Sequence, residues 1–256
     1  IFDLFRFDWK FTPFTEEKYL FPNTKAIEFL QKQEKPFRIM NADNRILPPN
    51  FSSIYRLQDV AGYDPLYLKN YGELASAWVR NKPDISPFEF NRIITPQNYT
   101  NPITDLLNVR YILSLDEISH EKLTKVFEEG QTKIYENNQV FPRAFFVESV
   151  IEVDSKQEVI EMMFDKNVDL QKTAIVFDDL DFDDNPLQPD ETVKILKYSE
   201  NEIKLETKTN EPRLLILSDN YYPDWQASVN GQQTKIYQVD YNLRGVIVPT
   251  GEHKVV

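Results

Sequence analysis

Apolar and polar residues follow two different periods along this chain, and the change of period divides it. Up to about residue 170, segments with apolar residues three and four apart alternate with short apolar runs, the signature of mixed helices and strands. Asn23-Thr24 supplies the cap for a short helix carrying Ile27, Phe29 and Leu30; Pro36 stops it, and Phe37 to Met40 reads as a strand. Tyr71 to Arg80 predicts a second helix, and Asp105 to Asn108 a helical turn leading into a strand over Val109 to Leu113. Ser119 is expected to cap a helix with Leu123, Val126 and Phe127 on one face, ended by Gly130. Strands follow over 132–135 and 144–147. Ser155-Lys-Gln-Glu158 is a capping box opening a helix that turns Val159, Ile160, Met163 and Phe164 inward. The stretches 41–67 and 81–102 are rich in proline and turn residues, and no regular element is expected over most of their length.

From Thr173 onward the period shortens to two. Strands are expected over 173–177, 193–198, 202–207, 213–218, 226–229, 235–239, 244–248 and from 253, with turns at Glu200-Asn201, Asn230-Gly231 and Thr250-Gly251. The expected fold class is therefore α+β. Residues 1–170 form a mixed α/β domain with an aromatic N-terminal arm, and residues 171–256 an antiparallel, jelly-roll-like β-sandwich. In the arm, Phe5, Phe7, Trp9 and Phe11 alternate with Arg6, Asp8 and Lys10, a strand period. An extended arm laid on the globule accounts for it; a lipid-facing or partner-facing strip is the functional alternative.

Charge narrows the function classes. Forty-one acidic residues against 29 basic ones give a net charge of −12, which argues against a nucleic-acid partner and against docking on anionic lipid by charge alone. No cysteine is present, which removes thiolate chemistry and thiolate metal sites. No apolar run approaches the roughly 20 residues that span a bilayer. The chain starts without methionine on an aromatic run and stops on Val255-Val256 inside an apolar strand, and is read as a segment of a longer polypeptide.

Three groups of residues could carry chemistry. Tyr221, Tyr222 and Trp225 offer flat faces for a sugar ring, with Asp219, Asn220 and Asp224 to accept its hydroxyls; the competing reading is a buried turn plug, favoured because burying a tryptophan stabilises a fold so strongly. Tyr63, Asp64 and Arg110 could bind a glycan or meet a membrane-embedded half of the protein, with structural packing the favoured reading; Arg110, flanked by Val109 and Tyr111, is then expected to pair with a buried carboxylate, Asp64. Asp179, Asp181 and Asp183 alternate as in a calcium loop, but Asp184 and Asp190 stand where an EF-hand needs Gly and Glu, so a solvated acidic loop is the simpler reading and Ca²⁺ the alternative. His120 and His253 lie in unrelated contexts, and the six glycines form no phosphate loop.

Several stretches together resemble the extracytoplasmic region of the YfhO-type bacterial membrane proteins, which are related to the GT-C glycosyltransferases. They are Asn23 to Leu30 with Phe37 to Met40, Gly62-Tyr-Asp-Pro-Leu66 with Tyr71, Leu106 to Leu113, Phe141 to Val147, and Tyr221-Tyr-Pro-Asp-Trp225 through Asn230-Gly231 to Gly245 to Pro249 and Gly251. Asp224 stands where the family's turn carries glycine. The resemblance implies membrane spans elsewhere in the full protein, a location on the outer face of the bacterial cytoplasmic membrane, and sugar transfer from a polyprenyl-phosphate donor to a cell-envelope glycopolymer. The catalytic loop of such enzymes has no counterpart here, so no catalytic residue is carried over. The expected role is accessory: an acceptor-orienting or scaffolding head whose partner is its own transmembrane region. A secreted carbohydrate-binding module is the alternative, and a self-contained hydrolase ranks third, because no paired acid and base stands out among the many carboxylates.

Overall fold

A computed structural model describes residues 1–11, 16, 19–85, 92–177, 180 and 182–256. The chain is a mixed α/β protein in which strands predominate. Helix α1 (Phe2–Phe11) comes first, followed by α2 (Lys25–Gln31), in which the Thr24 hydroxyl accepts from Ile27 N at 3.3 Å as the cap requires. Then come β1 (Arg38–Asn41), α3 (Phe51–Ile54), β2 (Gln58–Asp59), β3 (Gly62–Tyr63), α4 (Lys69–Arg80), β4 (Ile93–Ile94), α5 (Pro102–Leu106), β5 (Val109–Ser114), β6 (Leu123–Glu129) and β7 (Thr132–Asn137). Strands β2, β1, β5, β7 and β6 form the first sheet in that order, parallel across β2-β1-β5 and antiparallel beyond; β3 and β4 pair separately.

The second sheet draws on both halves of the chain. Strands β8 (Ala144–Phe146) and β9 (Ser149–Glu152) precede α6 (Lys156–Phe164) and β10 (Thr173–Val176). Next are β11 (Thr192–Tyr198), β12 (Ile203–Thr209), β13 (Arg213–Asn220), β14 (Ala227–Val229), β15 (Gln232–Thr234), β16 (Tyr237–Val239), β17 (Leu243–Val248) and β18 (Gly251–Val255). The second sheet runs β8-β13-β17-β16-β10-β9, with β9 parallel to β10 across α6. The third, β11-β12-β18-β14-β15, is antiparallel throughout. Residue 170 falls between α6 and β10.

Three apolar clusters hold these layers together. The largest joins Met40, Trp78 and Ile112 of the first sheet and its helices to Ile160 of α6 and to Ile175, Leu214 and Ile216 of the second sheet. A smaller one lies on the opposite face of the first sheet, under α2. The third is shared between the facing sides of the second and third sheets, where Phe146, Leu215 and Val248 meet Leu205, Ala227 and Val255.

Two expected elements are corrected. Residues 2–11 are helical, not extended, and Phe2, Leu4, Phe5, Phe7 and Trp9 are 60–82% exposed, not laid on the globule. An unpaired strand would leave its peptide groups without partners, whereas a helix satisfies them internally, as Phe5 N does on Ile1 O at 3.0 Å. Residues 123–129 are strand β6, not a helix. A β-bulge between Lys125 and Phe127 shifts the register, so Leu123 packs on the largest cluster and Val126 and Phe127 on the one beneath α2. The bulge spaces apolar residues as a helix would while serving two faces of a strand. Gly130, with φ of 59°, turns β6 into β7. Ser155 caps α6 as expected, its Oγ accepting from Glu158 N at 3.2 Å; the Glu158 carboxylate reaches back one residue beyond the cap, its Oε2 accepting from Asp154 N at 3.0 Å.

Candidate functional site

The end of β13 is bent by a register shift between Leu217 and Asn220, which turns Asp219 toward the junction of the three sheets. Three arginines from separate strands and loops meet it there. Arg38 of β1 donates from Nη2 to Asp219 Oδ1 at 2.7 Å and from Nη1 to Leu107 O at 2.8 Å. Arg143, just before β8, donates from Nη1 to Asp219 Oδ1 at 3.2 Å and to Ser218 O at 3.1 Å, and its Nη2 bonds Gln58. Arg244 of β17 sets its Nη2 3.2 Å from Asp219 Oδ2. The Tyr198 hydroxyl of β11 donates to both carboxylate oxygens, at 2.8 and 2.9 Å.

Arg143, Asp219 and Arg244 are buried and Arg38 and Tyr198 half-buried, and burial dominates the electrostatics of Arg143, Tyr198 and Arg244. It pushes the Arg143 guanidinium down to about 10, with the neighbouring Arg38 charge adding to the shift against the pull of Asp219. It lowers Arg244 as well, and it raises the Tyr198 phenol, where the Asp219 charge acts in the same direction. The Nε atoms of Arg143 and Arg244 are buried and have no hydrogen-bond partner among the described residues.

Two clefts open beside this cluster. One, of about 750 Å³, lies where the second and third sheets face each other; Leu205, Leu215 and Val246 form its floor, and Tyr222, Asp224 and Gln233 its rim. The other, of about 890 Å³, lies between the β1–β2 region and β11; Lys35, Arg56, Gln58, Lys197, Tyr198 and Asp219 line it. Ile203, Trp225 and Arg244 line both. The Arg244 guanidinium lies 4.2 Å from the centre of the Trp225 ring, a cation–π contact.

The residues singled out from sequence divide three ways. Tyr222, Asp224 and Trp225 come together on the first cleft. Trp225 is half-buried, so it wedges between the clefts and does not plug a closed core. Tyr221 is held by its backbone, N to Asn242 O at 2.6 Å, and is not among that cleft's lining. Tyr63 and Asp64 line a separate cavity of about 250 Å³ with Arg38 and Tyr71. Arg110 does not reach them. It donates to Glu136 at 2.9 Å and lies over Tyr111, while Asp64 accepts from Leu66 N; the expected Arg110–Asp64 pair does not form, because β5 turns Arg110 toward its neighbour β7. Of the three aspartates proposed for a metal, Asp179 and Asp181 lie outside the described residues, and Asp183 is exposed. Among the described residues no cluster of three or more metal-ligating side chains occurs, and no helix is long and apolar enough to cross a membrane.

Sequence reasoning missed the arginine cluster, although its signal was present. Arg38, Arg143 and Arg244 each stand inside an apolar run, in Phe37-Arg-Ile, Pro142-Arg-Ala and Leu243-Arg-Gly. Arg110 stands in the same kind of run but is half exposed and paired with Glu136 on the surface of a sheet.

Comparison with curated proteins and with solved structures returns no match. The model of the family described as bacterial membrane protein YfhO matches residues 154–256, the stretch that carries α6, the third sheet, Trp225 and Arg244. The C-terminal part of the chain, residues 154–256, is thus similar to a family of bacterial membrane proteins.

Proposed function

We propose that this chain is the extracytoplasmic, non-catalytic head of a polytopic membrane protein, and that it orients a cell-envelope glycopolymer for sugar transfer carried out elsewhere in the full protein. The observation that carries the reading is the cleft of about 750 Å³ in the stretch similar to the YfhO family, where the flat Trp225 ring and Tyr222 stand beside the acceptor groups of Asp224 and Gln233. An aromatic face suits the C–H side of a pyranose, and carboxylate and amide oxygens suit its hydroxyls. In this reading the second and third sheets form a β-sandwich, the cleft is its open edge, and the polyprenyl-phosphate donor is bound by the transmembrane region, which is also the head's partner. The exposed aromatic face of α1 suits contact with that region or with lipid.

Binding of oligosaccharides from bacterial envelope polymers, measured by calorimetry, tests the reading. Trp225→Ala is expected to abolish binding while lowering the melting temperature by only a few degrees, since the ring is half-buried. Binding that survives this substitution would refute the role of the cleft. A hydropathy scan of the reading frame on both sides separates the membrane-anchored head from the alternative, a secreted carbohydrate-binding module: long apolar segments are expected, and a signal peptide followed by no spans would favour the module.

A further inference from the structure

The polar cluster at the junction of the sheets has a charge imbalance that its own residues do not resolve. Arg38, Arg143 and Arg244 share a single carboxylate, Asp219, at 2.7 to 3.2 Å. A clamp built only to hold the sheets together would be neutral, because an uncompensated buried charge costs several kcal/mol. Tyr198 adds no charge. Asp59, the next carboxyl along β2, is engaged by Asn41 at 2.9 Å and Ala61 N at 2.9 Å and bonds none of the three arginines. The excess faces the cleft of about 890 Å³, whose lining adds Lys35 and Arg56 against Glu200, together with Lys197, which is paired with Glu202. In a chain of net charge −12 this is a local concentration of positive charge, and the low-dielectric walls of a cleft strengthen its field.

We propose that this cleft is a binding site for an oxyanion group, a phosphate or a carboxylate, seated against Arg244 and Tyr198 and flanked by the Trp225 ring. Arg244 is the residue placed to receive it. Its side chain is almost fully buried, lines the cleft, and holds an Nε with no hydrogen-bond partner among the described residues, and the Trp225 face fixes its plane. A planar guanidinium held flat in this way presents a fork that matches both oxyanion types. Lys197 on the rim adds longer-range attraction; it is bonded to Glu202, so its contribution is the smaller one. The inference does not depend on glycan binding in the neighbouring cleft.

The 256-residue chain, labelled with ¹⁵N at arginine, is titrated with inorganic phosphate, glucuronate and glucose at fixed ionic strength, following the Arg Nε–H resonances by NMR and binding by calorimetry. Phosphate, glucuronate or both are expected to bind in the millimolar range and to move the Arg244 resonance, with affinity falling as NaCl rises; which of the two binds identifies the source of the oxyanion. Arg244→Gln is expected to weaken binding about tenfold or more, and Arg244→Lys by less. Lys197→Gln, at an exposed position that leaves the fold intact, is expected to weaken it about twofold and to lower its salt dependence, so the site stays testable if Arg244→Gln fails to fold. No response to either anion, anion binding that does not weaken as NaCl rises, or unchanged affinity in both Lys197→Gln and a folded Arg244→Gln would overturn the proposal.

Discussion

The two side chains whose removal should be felt most are Arg213 and Glu191, both about 1% exposed. Arg213 opens β13 and donates from Nε to Glu191 Oε1 at 3.0 Å and from Nη2 to Oε2 at 2.8 Å, a bidentate pair. Its remaining donors hold Asn185 O and Pro186 O, so this ion pair ties the acidic stretch before β11 to the second sheet. Glu191→Ala leaves a guanidinium buried without its charge partner and is expected to cost about 3–5 kcal/mol in urea unfolding, more than a swap of both residues for apolar ones of similar volume. Asp240 gives a second prediction. Burial raises its carboxyl to about 7, its Oδ1 accepts from Ile175 N at 2.9 Å, and Oδ2 has no hydrogen-bond partner among the described residues. Asp59 is also raised to about 7 by burial. In the unfolded chain both titrate near their ordinary value of roughly 4, so between about pH 4 and 7 the folded state holds more protons than the unfolded state. Their contribution is fully present below about pH 4 and is lost as pH rises through 7. Urea midpoints should therefore be lower at pH 8 than at pH 5, and Asp240→Asn, which keeps the acceptor for Ile175, should reduce that difference. A midpoint that rises over this range would contradict the assignment. Neither feature was legible from sequence: an arginine in an apolar run announces a buried charge, but its partner is set by which loop the fold brings back. The Arg110 expectation failed for that reason.

Elements were more legible where local chemistry and tertiary context agree. The Thr24 cap, the Ser155 cap and the alternating strands after residue 192 all needed only neighbours in sequence, and each is present in the structure. β6 was misread because its bulge, visible only against β7, reset the phase of its apolar residues. β9 was missed because its four residues acquire meaning only through parallel pairing with β10 across α6. The site was legible in part for the same reason: Tyr222, Asp224 and Trp225 lie within one turn, whereas the arginine cluster joins positions 38, 143, 219 and 244. Within the second sheet, Gly245 of β17 sits between β16 and β13, opposite Tyr237 and Ile216. A Cβ there would stand 2.7 Å from Val239 Cγ1 and 3.1 Å from Leu214 Cδ1. Both neighbours are fully buried and cannot yield freely, so Gly245→Ala is expected to destabilise by about 1–3 kcal/mol despite adding one methyl group. Equilibrium denaturation measures this directly, and a stabilising effect would mean that the sheet has room the structure does not show.

At the scale of the whole molecule, the change of hydrophobic period near residue 170 and the distribution of the core give different expectations for unfolding. The period suggests two units that could melt separately. The largest apolar cluster, however, runs without a break from Met40 and Ile112 through Tyr135 and Ile160 to Ile175, Leu214 and Leu243. Strands β8 and β9, which precede residue 170, complete the sheet formed by β10, β13, β16 and β17. Arg38 and Arg143 then bond Asp219 across the same junction. Removing either half would expose the inner face of the second sheet and strand at least one buried charge. Calorimetric melting is therefore expected to show one transition, with the calorimetric and van't Hoff enthalpies equal within error. Two resolved transitions would mean that the halves fold independently. Asp219→Asn sharpens the test: it removes the carboxylate that all three arginines share, so it should lower the single transition as a whole, whereas a purely local role would split off an early partial one.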